Sequence, residues 1–181
     1  MPNDHCNLLK RENNMVSEKT SPVAIVMGSD SDMKVMKSCI EQLEDFGIEP
    51  IVRIISAHRT PEIAADFAQK AAGNGIKVII AAAGMAAHLA GAMAAKVTLP
   101  VIGVPLDSGG GLGGMDALLS TVQMPPGVPV ATVAIGKAGA KNAAIFAVQI
   151  LALADAGLAE KLADFKQQQK EKVIKKDAAI Q

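Results

Sequence analysis

A histidine beside an arginine, directly after an apolar run, is the most chemically suggestive pair in this chain. Ser56-Ala-His-Arg-Thr60 follows Pro50-Ile-Val-Arg-Ile-Ile55. The imidazole of His58 can move a proton in either direction near neutrality. The guanidinium of Arg59 offers a rigid fork for phosphate or carboxylate. The same residues could instead be a loop histidine bonded to backbone and an arginine paired with a surface acid. A second string, Gly28-Ser-Asp-Ser-Asp32, combines the hydroxyls of Ser29 and Ser31 with backbone N–H groups at a helix start, a setting that suits an anion. Asp30 and Asp32 oppose an anion unless they address sugar hydroxyls, and an ordinary capped turn remains the alternative. A third string, Ala83-Gly-Met-Ala-Ala-His88, puts another imidazole just before Leu89, where a structural role competes with a functional one. His5 lies in a polar leader and carries no argument.

Other chemistries lack their residues. No GxxxxGK[ST] phosphate loop and no GxSxG nucleophile elbow is present. Gly109, Gly111 and Gly114 satisfy GxGxxG formally. A dinucleotide fingerprint, however, belongs in the first strand-to-helix turn, and this run follows the fourth. It reads as a flexible lid or a close backbone approach to ligand. Cys6 and Cys39 stand far apart with no Cys/His cluster, so neither metal ligands nor a disulfide framework is expected. Reduced thiols and a polar first 20 residues, without the apolar core of a secretory signal, point to the cytoplasm. The apolar run 76–95 is broken by Lys77, His88 and glycines, which disfavours a membrane span.

Loops of this kind need a frame. The 181 residues are 50% hydrophobic, enough for one domain with a real core and too many for disorder. Eighteen basic residues balance eighteen acidic ones, which gives no support for a nucleic-acid or membrane-surface partner. With four Phe and no Trp or Tyr, a base-stacking platform is also disfavoured. Five short apolar runs, near 23–27, 50–55, 77–81, 101–104 and 130–134, alternate with helical patterns near 32–46, 61–72, 86–95, 115–122 and 139–155. Ser31 or Asp32 is expected to cap the first helix and Thr60 the second, with Pro61 at its start. This alternation requires parallel strands and predicts a three-layer α/β/α sandwich with a flavodoxin-like or Rossmann-like sheet. The chain is too short for an eight-stranded barrel. Open parallel sheets bind ligands beyond the carboxyl ends of their strands, where all these loops emerge.

Three domain expectations follow. Residues 1–21 read as a flexible arm, 22–157 as the α/β/α domain, and 158–181 as a C-terminal helix and tail packing on a neighbouring subunit. Residues 143–154 are apolar on nearly every face, which favours burial against other subunits over burial in the helix's own sheet.

Together the strings carry a resemblance. Val26-Met-Gly-Ser-Asp-Ser-Asp32, Ser56-Ala-His-Arg-Thr-Pro61, Ala86-Ala-His-Leu89, Gly103-Val-Pro105, Met115-Asp-Ala-Leu-Leu-Ser120, Val122-Gln-Met-Pro125 and Ala134-Ile-Gly-Lys-Ala-Gly139 occur in order across about 23–165. This pattern resembles the N5-carboxyaminoimidazole ribonucleotide mutases of purine synthesis, also described as phosphoribosylaminoimidazole carboxylase catalytic subunits. The resemblance implies a homo-octamer acting on a small nucleotide without metal or organic cofactor. The carboxyl group moves from the exocyclic nitrogen to ring carbon C4. It implies proton transfer by His58 and nucleotide binding by Ser29, Asp32 and Arg59, with Ser31 and Ser56 adding phosphate or ribose contacts. Ala83, Gly84, His88 and Leu89 match the loop around the base and carboxylate. The chain departs from the common pattern at Met85, where glycine is usual, and at Ala90, where proline is usual. Ala86-Ala-His88 resembles the mutase type more than the related type that uses free CO2.

Overall fold

The computed structural model describes residues 20–110 and 112–181, and within them the alternation becomes a single five-stranded sheet. Strands β1 (Val23–Met27), β2 (Ile51–Ile54), β3 (Val78–Gly84), β4 (Val101–Leu106) and β5 (Ala131–Thr132) are all parallel, in the order β2-β1-β3-β4-β5. Helices α1 (Met33–Asp45), α2 (Pro61–Ala71), α3 (Leu89–Ala94), α4 (Met115–Val122), α5 (Gly136–Ala152) and α6 (Ala156–Ala178) follow in chain order. The chain therefore has the expected three-layer α/β/α architecture in its flavodoxin-like strand order.

The central strands β1, β3 and β4 are buried on both faces because they are apolar without alternation: all five residues of β1 are buried. On one face Ile25, Ile80 and Ile102 pack with Met36 and Leu43 of α1 and Ala143, Ala144, Ala147 and Val148 of α5. On the other, Val26 and Ile79 pack with Ala64, Ala68 and Ala71 of α2 and with Leu89 and Met93 of α3. Each fully buried isoleucine contributes about 1.5–3 kcal/mol, so this core holds the loops above it. Small residues let the helices sit close. A Cβ on Gly103 would meet the methyl group of Thr121. Cys39 lies in the first cluster, and burial pushes its thiol up to about 12.

Several expected boundaries move. Asp32 occupies the N-cap position of α1 as expected but makes no side-chain cap there, and a 3-10 turn (Asp30–Asp32), capped by Ser29, intervenes between β1 and α1. Thr60 makes no side-chain cap, because its hydroxyl is occupied with Ser56. Strand β3 runs on to Gly84, and α3 begins only at Leu89, because the intervening residues form a tight turn. Strand β5 shrinks to two residues, since only β4 pairs with it. The inner face of α5 is covered by its own sheet and by α1, where alanines permit the close approach, so this part of 143–154 is buried within the chain itself. Phe146 and Leu153 remain exposed on that helix. Nearly all of the 1–21 arm lies outside the described residues, and its last residue, Ser21, is buried. Only Leu162 of α6 is buried, while Lys161 Nζ donates to the Phe46 carbonyl (2.8 Å) and Phe165 meets Phe46 edge to face. No helix among the described residues is long and apolar enough to cross a membrane.

Candidate functional site

The strand ends are in register. Met27 aligns with Ile54 and Ala82, and Gly84 with Leu106, so the following turns leave the sheet on one edge. Strands β1 and β3 are neighbours whose helices lie on opposite faces, and the crevice they open is where this fold takes ligands. An open cleft of about 500 Å³ lies there. All ten nominated residues line it: Ser29, Ser31, Asp32, Ser56, His58, Arg59, Ala83, Gly84, His88 and Leu89.

The turn after β1 is held by its own polar groups. Ser29 N–H donates to Asp32 Oδ2 (3.0 Å), and Ser31 N–H donates to Ser29 Oγ (3.4 Å) and Asp30 Oδ1 (3.0 Å). The Ser31 hydroxyl donates to Ser29 Oγ (3.0 Å), whose own proton goes to Asp30 Oδ1 (3.0 Å). Asp32 is half-buried, and that burial raises its carboxyl above the ordinary 3.8, with Asp30 repelling the charge further. Hydrogen bonds from Ser29, Ser31 and Gly28 pull the other way.

The turn after β2 is a closed clip. Ser56 N–H donates to Thr60 Oγ1 (3.0 Å), which donates back to the Ser56 carbonyl (3.0 Å). The clip projects His58 and Arg59. Arg59 spans to the first turn, donating from Nη2 to the Gly28 carbonyl (2.9 Å) and from Nε to Ser56 Oγ (3.4 Å). Among the described residues it forms no ion pair. With five donors on the guanidinium, it keeps capacity for an anion while already docked on both loops.

The turn after β3 brings the second imidazole. His58 Nε2 lies 2.8 Å from His88 Nδ1, with the rings edge to face and their centroids 4.9 Å apart. One nitrogen must donate and the other accept, and the tautomers decide which. Both side chains are exposed to the cleft. Leu89 contributes less than expected, since its side chain is 2% exposed and belongs to the core. Gly84 has no room for a side chain: a Cβ would collide with Ser108 Oγ and sit 3.1 Å from the Leu106 carbonyl.

Further residues of the candidate loops also reach the cleft. Met85 lines it from a left-handed backbone, φ 56°. Ser108, at the start of the glycine-rich loop, is the one described residue of 108–114 that does so. The Gly28 carbonyl docks Arg59. Ser108 belongs to the loop after β4 that the sequence places at this edge, whereas nothing in residue type marks a main-chain oxygen as a partner.

The cleft thus offers a cation, hydroxyls, a half-buried carboxyl and two linked imidazoles around one space. It can hold an anion at one end and exchange protons at the other. No group of three or more His, Cys, Asp or Glu among the described residues is placed to hold a metal ion.

Comparison with known proteins gives consistent findings. A family model described as AIR carboxylase matches residues 22–172. An N5-carboxyaminoimidazole ribonucleotide mutase of Bacillus subtilis is 53% identical over 152 residues, 84% of this chain and 93% of that protein. The mutase of that name from Pyrococcus horikoshii is 54% identical over 162 residues, 90% of this chain and 89% of its own. The Escherichia coli counterpart is 50% identical over 161 residues, 88% of this chain and 95% of its own. The crystal structure of Treponema denticola PurE superposes with a TM-score of 0.77 at 32% identity, covering 86% of this chain and 96% of that one.

Proposed function

The chain belongs to the AIR carboxylase family, and from that premise we propose how its cleft works as the active site of an N5-carboxyaminoimidazole ribonucleotide mutase in purine synthesis. The observation that carries the assignment is the contact of His58 with His88 beside an Arg59 docked on the serine turn. The substrate phosphate sits against Arg59, Ser29, Ser31 and Ser56, where charge-assisted hydrogen bonds are strong. Asp32 addresses ribose hydroxyls, and the base and its carboxylate lie against Ala83, Gly84 and His88, with the core-buried Leu89 supporting that loop from below.

The substrate is a carbamate. His58 protonates its nitrogen, the N–C bond breaks, and CO2 and a neutral aminoimidazole are formed. Ring carbon C4 of that base is nucleophilic and attacks the same CO2, which confinement keeps at high effective concentration. The C4 adduct then loses its ring proton to His58, which returns to its starting state. Atoms balance without ATP, and no step calls on a metal or organic cofactor. His88 holds the shuttle imidazole through its Nδ1 contact.

Labelled bicarbonate tests the reading. Purified protein should convert the carbamate nucleotide to the 4-carboxylate without ATP, and incorporate little label from bicarbonate during forward turnover. Efficient incorporation would instead mean carboxylation of the free aminoimidazole nucleotide by CO2.

The assembly belongs to the same proposal. We place the chain in a homo-octamer, in the cytoplasm, with α6 lying across a neighbour. The resemblance supports this. So do Met115, Leu119 and Val122, exposed apolar residues spaced along one face of α4.

A further inference from the structure

Helix α3 has six residues, fewer than the roughly 12–15 an isolated helix needs in water. Its place is therefore set by what packs on it. Leu89, Ala90 and Met93 are buried against the sheet. Gly91 lies about 200° around the helix from Leu89, on the opposite side. That side is gripped too. A Cβ on Gly91 would lie 2.7 Å from the Met124 sulfur and 3.2 Å from its terminal methyl, so the thioether occupies the space a side chain would take.

Met124 is itself anchored. Its N–H closes on the Val122 carbonyl (3.0 Å) at the end of α4, and Val128 N–H returns to the Pro125 carbonyl (3.2 Å) just beyond it. Pro125 and Pro126 fix the path of the chain between these turns. Before it in α4, the buried Thr121 fills the notch left by Gly103 of β4. Met124 does not line the cleft, but α3 carries His88 at its head. The Ala92 N–H donates to the His88 carbonyl (2.9 Å), so the first turn of the helix and the histidine move together. His88 Nδ1 must in turn meet His58 Nε2 at 2.8 Å, a contact that a small shift weakens. We propose that Met124 is a positioning residue: seated against Gly91, its thioether holds α3 on the sheet and sets the height of His88, and through His88 the orientation of the shuttle imidazole of His58. This deepens the mutase reading above and depends on it.

Kinetics of the full-length protein on the carbamate nucleotide test it. Met124→Ala should lower kcat about tenfold, since a misplacement of about 1 Å can cost about a hundredfold. KM and the Kd of the product nucleotide should change little, because Arg59 and the serine turn are untouched. Met124→Leu, similar in volume, should recover most of the loss. Gly91→Ala should lower kcat by a similar factor by displacing the thioether, although alanine ordinarily favours a helix over glycine. It reaches the same contact from the other side, and so carries the test if Met124→Ala fails to fold by thermal melting. In a His88→Phe background, each of these substitutions should cost nothing further. An unchanged kcat in a folded Met124→Ala or Gly91→Ala variant overturns the proposal. An equal fold-loss with and without His88 also overturns it, since that marks a general loosening of the fold. A wild type that makes no product from the carbamate overturns the mutase reading itself and this inference with it, whereas the other outcomes leave that reading standing.

Discussion

His58 Nε2 and His88 Nδ1 stand 2.8 Å apart with their ring planes at 80°. The contact joins the turn after β2 to the turn after β3, so two loops 30 residues apart share a single proton position. Each ring therefore limits the other's tautomer, a constraint that neither loop has alone.

Replacing the shuttle separates chemistry from binding. His58→Asn should lower kcat by about 10²–10⁴-fold, the usual worth of a general acid–base group. Affinity for the nucleotide should change little, since Arg59 and the serine turn remain. Turnover within a factor of a few of wild type would remove His58 from the proposed role.

Losing the partner should cost less. His88→Phe keeps an aromatic edge but no nitrogen, and kcat should fall about tenfold to a hundredfold, as when a residue that orients another is removed. His88→Asn, which can still offer a polar atom, should recover part of that loss. A purely steric role for His88 predicts the opposite ranking, with Phe the better substitute.

Arg59→Lys keeps the charge and loses the fork. Lysine cannot reproduce the paired contacts to the Gly28 carbonyl and Ser56 while also holding a phosphate. Losing one charge-assisted bond costs about 1.5–3 kcal/mol, so KM should rise about tenfold to a hundredfold with a smaller effect on kcat. Titration calorimetry with the product nucleotide measures this directly, and an unchanged Kd would refute the assignment.

Asp32 gives a pH dependence of stability. Its folded carboxyl holds its proton to a higher pH than the ordinary 3.8 of the unfolded chain. Its contribution is therefore complete below 3.8 and is lost as pH rises through the raised folded value. Relative to Asp32→Asn, wild type should lose melting temperature over that rise and then level off. The effect should be modest, because the group is only half-buried and solvent screens it. Scanning calorimetry across the acid range would contradict this if wild type gained on the variant instead.

Assembly can be read by light scattering. The wild-type chain should run at the mass of eight copies at micromolar concentration. Leu119→Glu, which puts a charge in the middle of the exposed α4 face, should shift the population toward smaller species. A wild-type monomer would end the octamer proposal.

How far the sequence alone reaches depends on the kind of contact. The apolar runs at 23–27 and 101–104 announce buried parallel strands because both faces are covered, and turns at their carboxyl ends must then meet on one edge. That reasoning brings His58, Arg59, Ser29 and His88 to one cleft. It does not deliver the 2.8 Å pairing of the imidazoles, which depends on the relative height of two loops. The short β5 escapes pattern reading because Val130 and Val133 look like strand residues, yet only Ala131 and Thr132 find register with β4. The capping of the first turn by Ser29 was similarly hidden, since Ser29, Asp30, Ser31 and Asp32 are all competent caps by type.

The anchor of Arg59 on Gly28 is a main-chain oxygen. Drift in the side chains of the serine turn can therefore alter which ligand groups it recognises without loosening the tether between the loops, provided the backbone keeps its path. Mutational fragility of that link is one-sided: it is concentrated in a single guanidinium.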